Sequence, residues 1–102
     1  MAYTIEFLKT ADEELAGLPK GAQRQIVTKI ERLKNVPRPV GVEPIKGSDQ
    51  LFRFRVGDYR VIYSVEGKHL VVLVVRIGHR KEVYENLRVL DSRVLLWRQR
   101  KK

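Results

Sequence analysis

Arg53, Arg55 and Arg60 fall within the run Phe52-Arg53-Phe54-Arg55-Val56-Gly57-Asp58-Tyr59-Arg60-Val61-Ile62-Tyr63, where two strands joined by a Gly-Asp turn would make a basic sheet surface. Period-two alternation puts Phe52, Phe54 and Val56 on one face of the first strand and Arg53 and Arg55 on the other. Guanidiniums held on an ordered scaffold offer forked, charge-assisted hydrogen bonds that suit phosphate oxygens. One Arg-x-Arg strand also suits an ordinary solvated sheet face. Arg60 and the later Gly78-His79-Arg80 shift the balance toward phosphate.

The chemistry open to such a surface is narrow. The chain has no glycine-rich phosphate loop, no paired metal carboxylates and no His-Glu-x-x-His motif, so nucleotide hydrolysis and two-metal nuclease chemistry lack their groups. Cysteine is absent, which removes disulfides, thiolate metal sites and thiol nucleophiles. Two histidines, His69 and His79, give a metal site little support, and no cofactor is expected. Metal-free cleavage of RNA needs none of these, because the ribose 2′-hydroxyl is an internal nucleophile. The protein must orient that hydroxyl, take its proton, stabilise the crowded phosphoryl centre and protonate the departing 5′-oxygen. Arginine suits the phosphoryl task but, with a pKa above about 12, is a poor base. Tyr84 and His79 remain as titratable candidates. Tyr84 has nearby cations to favour its phenolate, against an ordinary pKa of about 10.

The whole chain agrees in sign. Twenty-one Lys and Arg against twelve Asp and Glu leave +9 on 102 residues, suiting a polyanion or an acidic protein that masks the basic face. Arg88, Arg93, Arg98, Arg100, Lys101 and Lys102 contribute to this from the C-terminal end. A chain of this length is expected to form one domain, residues 1–102, burying about 60–65% of the surface its unfolded form exposes. The start shows no basic leader followed by an apolar run, and Val71 to Val75 is too short to span a bilayer. The expected location is the cytoplasm, without a membrane partner.

The elements that would position the arginines follow from periodicity. Tyr3, Ile5 and Phe7 alternate as a short strand. Thr10, with Glu13 three residues on, forms a capping box for a helix whose stripe is Leu8, Ala11, Leu15 and Leu18, and Pro19 interrupts it. A second helix over about residues 20–34 buries Ala22, Ile26, Ile30 and Leu33, with Gln23, Gln25, Lys29 and Arg32 mostly outside. Residues 35–44, with three prolines, read as a loop without regular structure. Strands then run through the arginine segment, Tyr59 to Val65, and His69 to Ile77, the last rich in Val and Leu and expected to be central. A helix over about 87–99 carries Leu87, Leu90, Val94 and Trp97 at helical spacing, and Val89, Leu95 and Leu96 make its stripe too wide for one small core. It is either clamped between elements or partly a docking surface. The order β-α-α-β-β-β-α is α+β: two helices on one sheet face, arginines on the other.

These residues carry a resemblance. Gly47, the run Leu51 to Tyr63 with its Gly57-Asp58-Tyr59-Arg60-Val61-Ile62-Tyr63 core, and Val75-Arg76-Ile77-Gly78-His79-Arg80-Lys81-Glu82-Val83-Tyr84 are similar to the RelE branch of the RelE/ParE toxin superfamily. The likeness covers residues 3 to about 90 in element order. It implies a small RelE-like fold, an N-terminal strand and helical hairpin on a mainly antiparallel sheet with a C-terminal helix. It also implies a ribosome-dependent endoribonuclease that cleaves messenger RNA in the decoding site by 2′-hydroxyl attack and is held inactive by a cognate antitoxin in a hetero-oligomer.

Carried over by position, the resemblance gives catalytic roles to Arg53, Arg55, Arg60, Arg80 and Tyr84. The best-studied pattern has lysines where Arg53, Arg55 and His79 stand here, so His79 is an auxiliary or alternative base. Arg38, Lys46 and Lys81 are candidate contacts to messenger or ribosomal RNA. Leu90, Val94 and Trp97 are candidate antitoxin contacts. His69 reads as a strand-start residue only. The alternative from the same fold is a ParE-like toxin that inhibits DNA gyrase by protein binding and cuts no RNA.

Overall fold

The computed structural model describes residues 2–79 and 86–101. The alternating N-terminal segment forms β1 (Thr4–Phe7), and the chain turns straight into α1 (Lys9–Ala16). Leu8, not Thr10, holds the cap position, in extended conformation and with no side-chain cap. The reason is tertiary: the Leu8 amide is still paired to the Val74 carbonyl at 2.9 Å, so the helix starts as soon as strand pairing ends. Pro19 caps α2 (Lys20–Arg32), which buries Ile26 and Ile30. Its fixed φ and missing N–H are tolerated at a helix start.

Residues 35–44 are irregular except at their end, where Glu43–Pro44 form a two-residue strand, β2, opposite Arg53 and Phe52. This corrects the expectation of a wholly irregular loop. The next residue, Ile45, is buried and its amide donates to the Leu51 carbonyl. Gly47, at φ 94°, closes the turn back into β3. Proline fits here because β2 is an edge strand whose outer side needs no donor.

Strands β3 (Leu51–Val56) and β4 (Tyr59–Glu66) form a hairpin around Gly57 and Asp58. Gly57 has φ 60° and Asp58 is outside the left-handed region, the pattern of a II′ turn. β5 (Val71–His79) runs antiparallel to β4, and β1 adds parallel to its other side. The sheet order is β1-β5-β4-β3-β2, so β5 is an interior strand as its Val- and Leu-rich sequence implies, next to β4 at the middle. A bulge between Ile62 and Tyr63 shifts the β4–β5 register.

Helices cover both faces of the sheet. Ala11, Ile26, Ile30 and Leu33 from the helical hairpin pack on Phe54, Val56, Val61, Tyr63, Val72 and Val74. On the opposite face α3 (Leu87–Arg100) lays Leu90, Val94 and Trp97 over Leu51, Ile62, Leu73 and Val75. Each fully buried aliphatic side chain contributes about 1.5–3 kcal/mol. Polar contacts fasten α3 at both ends. Ser48 Oγ and Gln50 Nε2 donate to Asp91 at 2.8 and 2.9 Å, Trp97 Nε1 donates to Glu6 at 3.2 Å, and Arg98 grips the buried Glu66 at 2.6 and 3.2 Å.

Candidate functional site

The register puts the arginines together. Arg55 lies directly opposite Arg60, and Arg53 opposite Ile62, so Arg53 is the diagonal neighbour of Arg60 on the same face. Gly78 faces Arg60 from β5 and brings no side chain. Ile62 of this face packs under α3, whereas Phe54, Val61 and Tyr59 belong to the helical-hairpin side. The three guanidiniums therefore occupy the part of the α3-side face beyond the helix.

Their electrostatics are unbalanced. Arg53 pairs with Glu43 at 2.9 Å. Arg55 and Arg60 have no salt-bridge partner among the described residues. Arg60 is half-buried, and its Nε is shielded from water without a hydrogen-bond acceptor among them. Like charges placed directly across a ladder destabilise it, and a buried N–H without a partner adds to that cost. A phosphate in this position would relieve both.

The other candidates are placed as follows. Arg80, Lys81 and Tyr84 lie outside the described residues. His79 pairs with Tyr59 in the ladder, and the two rings meet edge to face at 5.2 Å. Tyr59 packs on the helical-hairpin side, so the imidazole is on the face opposite the arginines, which argues against an auxiliary base converging with them. Arg38 places its guanidinium 5.2 Å from the Phe52 ring centre, also on the hairpin side. Lys46 is exposed in the turn that brings Gly47 near Leu87. His69 lies in the β4–β5 turn, edge-on to Trp97 at 5.5 Å.

Leu90, Val94 and Trp97 are 2%, 0% and 8% exposed, so in this conformation they close the protein's own core. The apolar residues that α3 turns outward are Val89, Leu95 and Leu96. Phe52 and Phe54 stack around Tyr63 at 5.8 and 5.9 Å and offer no exposed base platform. Among the described residues no His, Asp and Glu are grouped as metal ligands, and no helix is long and apolar enough to cross a membrane.

Sequence reasoning passed over Lys29. Its Nζ donates to the Arg55 carbonyl at 2.9 Å, tying α2 to the arginine strand. The signal was present in the outward positions of α2, where Arg24, Lys29 and Arg32 recur on a helix whose sole acid is Glu31.

Residues 5–84 match the family model described as ParE toxin of type II toxin-antitoxin system, parDE. The chain belongs to the RelE/ParE family of toxins. The toxin RelG of Mycobacterium tuberculosis is 31% identical over 85 residues, covering 82% of this chain and 98% of that protein. A chain of the archaeal RelE–RelB complex from Pyrococcus horikoshii is 32% identical with a TM-score of 0.70, over 80% of this chain and 99% of that one. The free E. coli RelE toxin, solved as a mutant, superposes with a TM-score of 0.77 at 24% identity, over 92% and 99% of the two chains, which shows the shared fold. The protein is thus a RelE-like toxin in its sequence family and in its sheet-and-helix architecture.

Proposed function

We propose that this RelE-like toxin is a metal-independent, ribosome-dependent endoribonuclease, one toxin domain over residues 1–102, acting on messenger RNA in the cytoplasm. The observation that carries it is the Arg55–Arg60 pair, without a salt-bridge partner among the described residues, with Arg53 on its diagonal, on the part of the sheet face beyond α3. The 2′-oxygen attacks the adjacent phosphorus as the bond to the 5′-oxygen breaks and that oxygen takes a proton from water, leaving a 5′-hydroxyl and a 2′,3′-cyclic phosphate or the 3′-phosphate to which it hydrolyses. The arginines bind the non-bridging oxygens as charge builds on them. Arg80 adds a fourth guanidinium, and Tyr84 takes the 2′-hydroxyl proton or stacks on a base. A protein with so sparse an acid–base set needs another body to align its substrate, and the ribosome supplies that orientation.

A cognate antitoxin is the second partner. The solved relatives include RelE–RelB complexes, and a basic face beside outward apolar residues on α3 suits an acidic chain that orders on binding.

Gyrase inhibition by protein binding is the competing function, favoured by the ParE description of the matching family model. Mapping RNA ends after incubation with and without programmed ribosomes decides between them. Cleavage only on ribosomes, with 5′-hydroxyl ends, is the expected result. No cleavage together with blocked supercoiling transfers the protein to the gyrase class.

A further inference from the structure

The positive surface does not stop at the sheet face. β2 pairs with β3 only at Phe52 and Arg53, so among the described residues no strand lies beside Phe54, Arg55 and Val56 on that edge. Lys29 reaches this open edge from α2. Beside it lies a cleft of about 290 Å³ whose lining includes Lys29, Arg32, Arg53 and Arg55, with Leu33 and Phe54 among its apolar walls. A second depression joins Lys29 and Arg32 to Arg24. Arg53 and Arg55 thus belong both to the cleft and to the arginine face, making the band continuous from Arg60 to Arg24. Among the described residues Glu43 is the one acid in the lining of these two hollows, and it is paired with Arg53. Among the described residues Arg24, Lys29 and Arg32 have no salt-bridge partner.

We propose that this band is the path by which an RNA strand held on the arginine face leaves the cut: its phosphates cross the open edge of β3 and continue along the outer side of α2. The assignment rests on the reading above that Arg53, Arg55 and Arg60 hold RNA. The band offers cations in succession, with Arg24 and Arg32 about 12 Å apart along the helix axis. That arrangement fits the repeated charge of a nucleic-acid backbone. A protein partner is instead anchored by outward apolar side chains, which this molecule carries on α3 at Val89, Leu95 and Leu96.

The test uses the intact protein and a short 2′-O-methyl RNA, which binds but cannot be cut, with affinity followed against salt by fluorescence anisotropy. Arg24→Gln combined with Arg32→Gln weakens binding at least about tenfold at low salt and flattens the log–log salt slope by about 1.4, at about 0.7 per phosphate contact on a single strand. Glu43→Gln tightens binding by removing the one carboxylate. Wild-type affinity and slope in the double variant overturn the proposal, as does a loss confined to binding of polyglutamate.

Single-turnover cleavage on ribosomes separates the two sources of RNA. If the band holds message, the double variant's deficit vanishes on a message that ends just past the cut. A deficit that persists there assigns the band to ribosomal RNA and overturns the exit path. If the wild-type protein cuts nothing on ribosomes, the nuclease reading fails while the oligonucleotide measurement still decides whether the band binds RNA.

Discussion

Arg55 and Arg60 stand directly opposite each other across the β3–β4 ladder, two like charges in a place where opposite charges would stabilise the pair. A fold that retains this repulsion resembles other functional sites, where local cost is retained for ligand binding. Arg55→Gln is therefore expected to raise stability by about 0.2–1 kcal/mol, or roughly 1–8 °C in Tm for a domain of this size. The same change lowers ribosome-dependent cleavage, and Arg60→Ala lowers it at least about tenfold. Thermal melts paired with single-turnover rates check the opposition. A variant that is both destabilised and fully active would show that the pair serves structure.

The structure places one of the two candidate bases. His79 packs against Tyr59, away from the arginines, so His79→Gln is expected to leave the cleavage rate within about twofold. Tyr84→Phe is expected to lower the rate about ten- to a hundredfold, with ribosome binding retained. Full pH–rate profiles of both variants on programmed ribosomes provide the measurement. A severe His79 variant with an active Tyr84 variant would reverse the roles.

Tyr63 makes stability depend on alkaline pH. Its side chain is fully buried, its hydroxyl donates to the Pro37 carbonyl at 2.6 Å, and burial pushes the phenol far above its ordinary range, with Arg38 pulling weakly the other way. In the unfolded chain the phenol releases its proton as pH passes about 10, while the folded protein keeps it. The unfolded state then binds fewer protons, so this contribution is intact below about pH 10 and falls as pH rises beyond it. Tyr63→Phe is expected to cost about 1 kcal/mol near neutrality and to decline less steeply above about pH 10. Urea midpoints on either side of that pH test it.

The Arg98–Glu66 pair fastens the C-terminal end of α3. Glu66 is 5% exposed and accepts both guanidinium hydrogen bonds, which hold Arg98 above the usual arginine range. Arg98→Met strands a buried carboxylate and is expected to cost about 2 kcal/mol, less than for a fully buried pair because the arginine is itself part exposed. Hydrogen exchange over residues 87–99 should speed up in the variant. The same measurement on an antitoxin complex distinguishes a partner that covers α3, which slows exchange there, from one that displaces it.

The placement of Arg53, Arg55 and Arg60 on one sheet face was legible in the sequence. Alternation in 52–56 and 59–63 assigned the two faces correctly, and the pairing of Arg55 with Arg60 required only the two-residue turn at Gly57 and Asp58. Other features depended on distant partners. β2 was hidden because Pro44 suppresses any strand signal, and its pairing with β3 goes with the burial of the adjacent Ile45. The over-wide stripe of α3 could not be divided by spacing alone. Contact with the sheet selects Leu90, Val94 and Trp97 as the inner set and leaves Val89, Leu95 and Leu96 outside. Thr10 fitted a capping box that strand pairing at Leu8 made unnecessary.

The parallel pairing of β1 with β5 also bears on when the protein can exist as a folded body. Thr4 to Phe7 are synthesised well before their hydrogen-bonding partners, Val71 to Val74, with all of α1, α2, β2, β3 and β4 between them. Such long-range pairing forms late in folding, since a large loop must close before any bond is gained. Until then the arginine strand has no completed sheet to hold its guanidiniums in register. A chain made only as far as β4 is therefore basic but unarmed, because the sheet that carries its arginines is completed only once β5 has been synthesised.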